Sequence, residues 1–418
     1  MISHFLRITL IFFVFGAFAG ETCVDGLKIA GIRLEGLEVT RERVVQRELI
    51  HRVSGNFSAE TWNQEKRRLE GLDLFAHLEL TCTASDSGQV LHYRFSELFY
   101  LIPSPSTKKT DQDGWMLGLA LAHLNIAGED IRAEIQYRTS VNPWMEANEF
   151  AFYAEVPWLF DTDMSTSLDL VRTDSWDNLR DYQEKSWLAR LGFKKGISKS
   201  VFGLAGASYR YLENFGYIPD GSLGILFDNR DAALDPRRGF YSEWRFSQFG
   251  GIPGSDENYR EYLTDQRLYF SFPRLISAVS LLGRYRPGNQ KFYDRLHQGG
   301  ANTLRGFDPD SSIHGKHEIL WNAEERIVLL ERRPFSIFGA SFFWGIQAVV
   351  GMDGSFLWNA RELPAWENYR SSVYGGIHIL IPALSRIRVE VGYSPDVGEP
   401  KITVGLFEKV DTQRWFSR

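Results

Sequence analysis

Ile131-Arg132-Ala133-Glu134-Ile135-Gln136-Tyr137-Arg138 is the stretch whose reading decides the fold. Its apolar members, Ile131, Ala133, Ile135 and Tyr137, alternate with Arg132, Glu134, Gln136 and Arg138. A period of two places successive side chains on opposite faces of an extended strand. One face is apolar and the other charged.

The pattern recurs outward from this stretch, from about Phe99 to Phe407. Trp187, Ala189, Leu191 and Phe193 alternate with Leu188, Arg190, Gly192 and Lys194. Val279, Leu281, Gly283 and Tyr285 alternate with Ser280, Leu282, Arg284 and Arg286. Ile387, Val389, Val391 and Tyr393 alternate with Arg386, Arg388, Glu390 and Gly392, and Ile402, Val404 and Leu406 with Lys401, Thr403 and Gly405. A soluble sandwich also alternates. Two features favour a transmembrane β-barrel with a polar lumen. The strands run ~9–13 residues, the length of a tilted membrane crossing. Aromatics recur near strand ends (Trp144, Trp158, Phe160, Trp244, Trp344, Trp358), as interfacial girdles do.

About sixteen strands are expected, an even number as in bacterial barrels. They lie near 97–104, 113–124, 129–139, 147–157, 164–173, 185–194, 199–212, 221–229, 239–249, 260–273, 276–287, 317–330, 340–353, 371–381, 384–394 and 399–408. The first is the least regular. Phe99-Tyr100-Leu101-Ile102 runs into Pro103 and Pro105, which cannot donate to a ladder. These prolines either end a short strand or weaken the seam it forms with the last strand.

The N-terminus reads as an export signal over residues 1–19. Arg7 precedes a run from Ile8 to Ala19 that is apolar apart from Thr9, and Ala17-Phe18-Ala19 fits a small-x-small cleavage pattern. The run is short of the ~20 residues a spanning helix needs. Gly20-Glu21-Thr22-Cys23 lacks the approach to a lipid-modified cysteine. The net charge of -6 argues for no particular partner, and nothing is basic enough for nucleic acid. Aromatics at 14% are high, which suits a secreted β-protein or a membrane barrel. The two cysteines, Cys23 and Cys82, would meet oxidising conditions in an exported chain, so a disulfide is expected. Free thiols and a Cys-lined metal site are the alternatives, and no His pair lies nearby to support a metal.

Residues 20–97 differ from the rest, with a β-α-α-β-β pattern over about 26–97. Leu27 to Leu34 alternates; Thr40 is an N-cap candidate before Val44, Val45, Leu49 and Ile50 at helical spacing. Ser58 is a second N-cap, before Trp62, Leu69 and Leu72. Phe75 to Leu80 and Val90 to Phe95 make strands around the Ser85-Asp86-Ser87-Gly88 turn. The barrel occupies 98–410, and 411–418 form a tail. Phe407 is the aromatic expected in a last strand, although Glu408 to Arg418 run on past it.

Between two alternating segments lies Gln298-Gly299-Gly300-Ala301-Asn302-Thr303-Leu304-Arg305-Gly306-Phe307. Gly299, Gly300 and Gly306 allow sharp turns, with Leu304, Arg305 and Phe307 among them. Taken alone, this is equally a surface loop with a solvated arginine.

Taken together, these features resemble the outer-membrane assembly-factor superfamily, the group of BamA, TamA and the two-partner-secretion transporters. Members place one or more periplasmic POTRA modules ahead of a 16-stranded barrel. The resemblance covers nearly all of the chain after residue 19. Gly36 before the Thr40 helix, Gly55-Asn56-Phe57 between the helices, and Leu69 through Phe75 resemble POTRA landmarks. Gly299 to Phe307 resembles the conserved-loop motif ending Arg-Gly-Phe. Asp228-Asn229-Arg230-Asp231 with Asp235-Pro236-Arg237-Arg238-Gly239 resembles the periplasmic turn before a strand, and Asn322-Ala323-Glu324-Glu325-Arg326 the twelfth strand. The resemblance implies that Arg305 folds into the lumen and pairs with acids on the wall. Glu324 is the first candidate, on the face of Asn322 and Arg326. Asp353 is the second and weaker match, because Gly354 follows it directly where the family usually has one intervening residue.

The family's barrels do no bond chemistry, and no catalytic constellation is read here. His123, His297, His314, His317 and His378 lack ligand spacing. No cofactor or metal is implied. The resemblance implies outer-membrane localisation with the POTRA module in the periplasm. Its partners would be membrane lipids, unfolded outer-membrane or secreted protein clients, and accessory periplasmic proteins. The leading expectation is an assembly factor that adds client strands at an open seam. Alternatives are a two-partner-secretion-type transporter, whose relatives have two POTRA modules and a plug helix, and a small receptor or channel barrel.

Overall fold

The computed structural model describes residues 22–405, apart from 111–113, 142–146, 178–181, 233–234, 256, 309–312, 338–339, 360–362 and 382–385. The signal segment 1–19, Phe407 and the tail 411–418 lie outside the described residues.

The first unit is β1 (Ile29–Glu35), α1 (Glu42–Glu48), α2 (Ala59–Gly71), β2 (Phe75–Ser85) and β3 (Gly88–Glu97). The sheet runs β1-β3-β2, with β1 parallel and β2 antiparallel to β3. Val44, Val45 and Leu69 come from helical spacing and Leu91 and Tyr93 from strand alternation, and all five are buried in one core. Ser58 caps α2, accepting from the Thr61 amide at 3.4 Å. The first cap differs from expectation: Arg41, not Thr40, precedes α1. The Thr40 hydroxyl instead lies 2.8 Å from that of Tyr100 and accepts from Asn125 Nδ2 at 2.9 Å, joining this unit to the next. Cys23 and Cys82 form a disulfide. Gln89 holds the same N-terminal segment through both the amide and carbonyl of Val24, at 3.0 and 2.8 Å.

The remaining chain is a large antiparallel wall: β4 (Leu101–Thr110), β5 (Gly114–Ile126), β6 (Ile131–Ser140), β7 (Asn148–Val156), β8 (Met164–Asp177), β9 (Tyr182–Gly196), β10 (Val201–Leu212), β11 (Gly216–Asp228), β12 (Gly239–Gly250), β13 (Asn258–Ser271), β14 (Leu275–Tyr285) and the two-residue β15 (Gly288–Asn289). Inside the following loop, β16 (Leu296–His297) pairs with β17 (His314–Gly315). The wall resumes with β18 (His317–Ile337), β19 (Ala340–Trp358), β20 (Tyr369–Leu380), β21 (Ile387–Tyr393) and β22 (Pro400–Gly405). The order closes as a barrel, with β22 beside β4.

The faces are inverted relative to a protein folded in water. On β6, Ile135 and Tyr137 are 43% and 51% exposed while Gln136 and Arg138 are buried. On β5, Leu117, Leu119 and Leu121 are exposed and Ala120 and Ala122 buried. An apolar outer face and a polar inner one suit a wall with lipid outside.

Several strand boundaries depart from expectation; β8 runs on to Asp177 and β11 begins early, at Gly216. The first strand is not 97–104; it begins at Leu101 and continues through both prolines to Thr110. Strands β18 and β19 overrun their expected spans, 317–330 and 340–353. The end of β18 and the start of β19 reach the first unit, where Phe343 joins its core and Phe99 N–H donates to the Ser341 carbonyl at 3.3 Å. That packing supplies the partners for the extended end of β18, whereas the added residues of β19 pair with the start of β18, Trp358 opposite His317.

The first unit sits on the turns at one end of the barrel. Arg41 reaches Glu129 at 2.7 Å, Arg43 and Arg47 reach Asp161 at 2.7 and 2.6 Å, and Arg67 reaches Asp231 at 3.4 Å. In return, Arg332 reaches the buried Asp73 at 3.2 Å. These turns follow β5, β7 and β11. Because the strands alternate in direction, the loop after β14 starts at the opposite end.

Candidate functional site at the lumen loop and the closing edge

The loop after β14 folds back against the inner wall. Leu304 and Phe307 are buried in an apolar cluster with Leu263, Leu282 and Leu320 from β13, β14 and β18. That packing sets the depth at which Arg305 enters. Gly300 takes φ 82°, a left-handed conformation that favours glycine. Its amide donates to the Phe307 carbonyl at 3.0 Å. Gly306 passes so close to the wall that a Cβ would lie 2.7 Å from Ser394 N and 2.8 Å from Ser372 Cβ.

Arg305 is only 7% exposed. Its Nη1 lies 3.0 Å from Asp353, and its backbone amide donates to the same carboxylate at 3.1 Å. Its Nε lies 3.1 Å from Glu390, and its Nη2 3.9 Å from Glu324. The guanidinium also stacks 3.7 Å above the centroid of the Tyr374 ring. A buried cation needs such partners on every side.

The acids are held in turn by their neighbours. Asp353 accepts from Asn322 at 2.9 Å and Ser372 at 3.2 Å. Glu324 accepts from the Tyr374 hydroxyl at 2.8 Å and pairs with Arg326. Glu390 lies 2.9 Å from His378 Nε2. Strands β18 to β21 each contribute to this constellation. Glu324, His378 and Glu390 could present metal-ligand atoms within 4.8 Å of one another. Both carboxylates already face arginine, so the cluster is charge-compensated by the protein itself.

Sequence order and spatial order differ here. Asp353, read as the weaker acid, makes the nearest contacts to Arg305, and Glu324 the most distant of the three. Glu390 was absent from the sequence candidates. Its one sequence signal was alternation, since Ile387, Val389 and Val391 face out and Arg388 and Glu390 face in.

The closing edge carries the other expected residues. Leu101 lies opposite His123, and the Leu124 amide donates to the Tyr100 carbonyl at 3.0 Å. In an antiparallel ladder, directly opposed residues alternate between bonded and non-bonded pairs. Residues 100, 102, 104 and 106 therefore bond to β5. Pro103 and Pro105 turn their backbone nitrogens the other way, toward β22. The edge that meets β22 thus lacks two donors at alternate positions.

The Omp85 superfamily domain matches residues 127–401. No curated protein matches the chain. Solved structures match in fold. CdiB from Escherichia coli aligns with TM-score 0.59 at 14% identity, over 90% of this chain and 75% of its own. CdiB from Acinetobacter baumannii aligns with TM-score 0.54 at 14% identity, over 91% and 73%. BamA from Haemophilus ducreyi lacking POTRA domains 1–3 aligns with TM-score 0.51 at 14% identity, over 91% and 83%.

Proposed function

This chain belongs to the Omp85 superfamily, and on that premise we propose that it is an outer-membrane assembly factor that inserts client barrels at the β4–β22 seam. At family level it is a bacterial outer-membrane protein of protein insertion or translocation. In our reading residues 1–19 are a signal peptide, and 20–97 are one POTRA module in the periplasm. The barrel spans 98–410, and 411–418 are a periplasmic tail. The module receives unfolded clients by edge-strand addition, with outer-membrane lipids around the barrel and accessory proteins at the module. No bond chemistry, cofactor or metal enters the cycle.

One observation carries this reading: Pro103 and Pro105 withhold donors from the strand that closes the barrel. In lipid, no water replaces a missing backbone partner. The seam is therefore weakened at these two positions, and an open edge is a template for an incoming strand. The Arg305 constellation supports the reading from the other side. Its acids hold the loop against strands β18 to β21, beside the seam. Buried ion pairs of this kind contribute little dependable stability and specify one arrangement.

The test is insertion of an unfolded outer-membrane barrel into liposomes, with and without this protein, with Arg305→Ala as control. Faster insertion, lost in the variant, is the expected result. No acceleration from a folded barrel would refute the insertase and favour a transporter or receptor. Steady ion conductance would then mark a client-free channel.

A further inference from the structure

The Arg305 half of the lumen loop makes its ion pairs with β18, β19 and β21, while Leu304 and Phe307 pack on β13, β14 and β18. The earlier half, residues 288–297, is held elsewhere. Phe292–Asp294 form a single 3-10 turn. Tyr293 is buried with Leu212 and Ile218, and its ring stacks on Phe215 at 4.5 Å. The Asp294 carboxylate pairs with Arg210 of β10 and accepts from the Tyr259 hydroxyl of β13. Its carbonyl accepts from Gln290 Nε2 at 2.6 Å and Arg286 Nη1 at 3.2 Å. The Lys291 amide donates to the Glu257 carboxylate at 3.0 Å. In the closed strand order, β10–β13 and β18–β21 flank the strand from which the loop departs. The polar attachments of the loop therefore grip two separate arcs of the wall.

We propose that Asp294 is a second latch of the lumen loop, a positioning residue that keeps the loop inside the barrel when the Arg305 latch opens. The two attachments share no residue. With one intact, the other re-forms as an intramolecular event at high effective concentration. Client passage or strand addition can then disturb the β18–β21 side without expelling the loop. The inference needs only the loop's geometry and holds for insertion and translocation alike.

The test is limited trypsin digestion of the purified full chain, scoring cleavage at Lys291 and Arg295. Cleavage tracks the population of released loop when opening is fast. Arg305→Ala alone and Asp294→Ala alone are expected to stay largely protected. The double variant should cleave faster than either by on the order of 100-fold, the size of a lost second attachment. Heat-modifiable migration on a gel verifies that each barrel is closed. If the double variant fails that check, Tyr259→Phe combined with Arg305→Ala is read instead, and it should also exceed Arg305→Ala. Cleavage already maximal in Arg305→Ala, or no faster in either combination, would overturn the second latch.

Discussion

Replacing Pro103 and Pro105 together by alanine should slow client insertion. Each alanine restores one backbone N–H directed at β22. A net intramolecular hydrogen bond is worth about 1 kcal/mol. The double variant therefore closes the seam by about 2 kcal/mol, and more where lipid excludes water. At 1.4 kcal/mol per factor of ten, the open-seam population falls about 30-fold. If insertion passes through that state, its rate falls by the same factor. The assay follows an unfolded client barrel entering liposomes by its shift to the heat-modifiable folded form. Pro219→Ala is the control, because Pro219 lies in β11, away from the seam. An unchanged rate from a properly closed Pro103→Ala/Pro105→Ala barrel would refute the reasoning. Equal slowing in the control would refute it too.

Other substitutions test the site and the first unit. Asp353→Ala removes the nearest carboxylate from a buried Arg305 and should cost about 3–5 kcal/mol, read as a lower urea midpoint. Gly306→Ala forces a Cβ to within 2.7 Å of Ser394 N; about 1–3 kcal/mol of overpacking should loosen the Arg305 half of the loop and raise trypsin cleavage at Arg305, with Lys291 still protected. Cys23→Ala/Cys82→Ala opens a crosslink between residues 59 apart and should lower the first unit's stability by about 4 kcal/mol in chemical denaturation. Glu65 is fully buried. Burial raises its pKa, but hydrogen bonds from His51 and Tyr93 outweigh this and hold it below the ordinary value of 4.5. A depressed carboxyl stabilises above its unfolded pKa, so that stability should be lost as pH falls below about 4.5. Glu65→Gln should flatten that part of the unfolding profile, and an unchanged profile would exclude Glu65 as its source.

What the sequence by itself determined follows from local periodicity. Alternation at Ile131–Arg138 assigns an apolar and a charged face without knowledge of any partner strand. Helical spacing at Val44, Val45 and Leu69 does the same for the first unit. Residue chemistry also marked Arg305 between flexible glycines, and Pro103 and Pro105 as missing donors. Tertiary structure decided the rest, because strand pairing joins residues far apart in the chain. Only the ladder between β4 and β5 shows which edge the prolines face. Arg305 meets Glu390 because β18 to β21 stand side by side, and no local pattern links two residues 85 apart. Thr40 caps no helix because Tyr100 and Asn125, supplied by the barrel, offer its hydroxyl other partners. Asp294 reads as a loop residue until Arg210 and Tyr259 are brought to it. Faces and turns are local properties; partners depend on register, and register belongs to the closed wall as a whole.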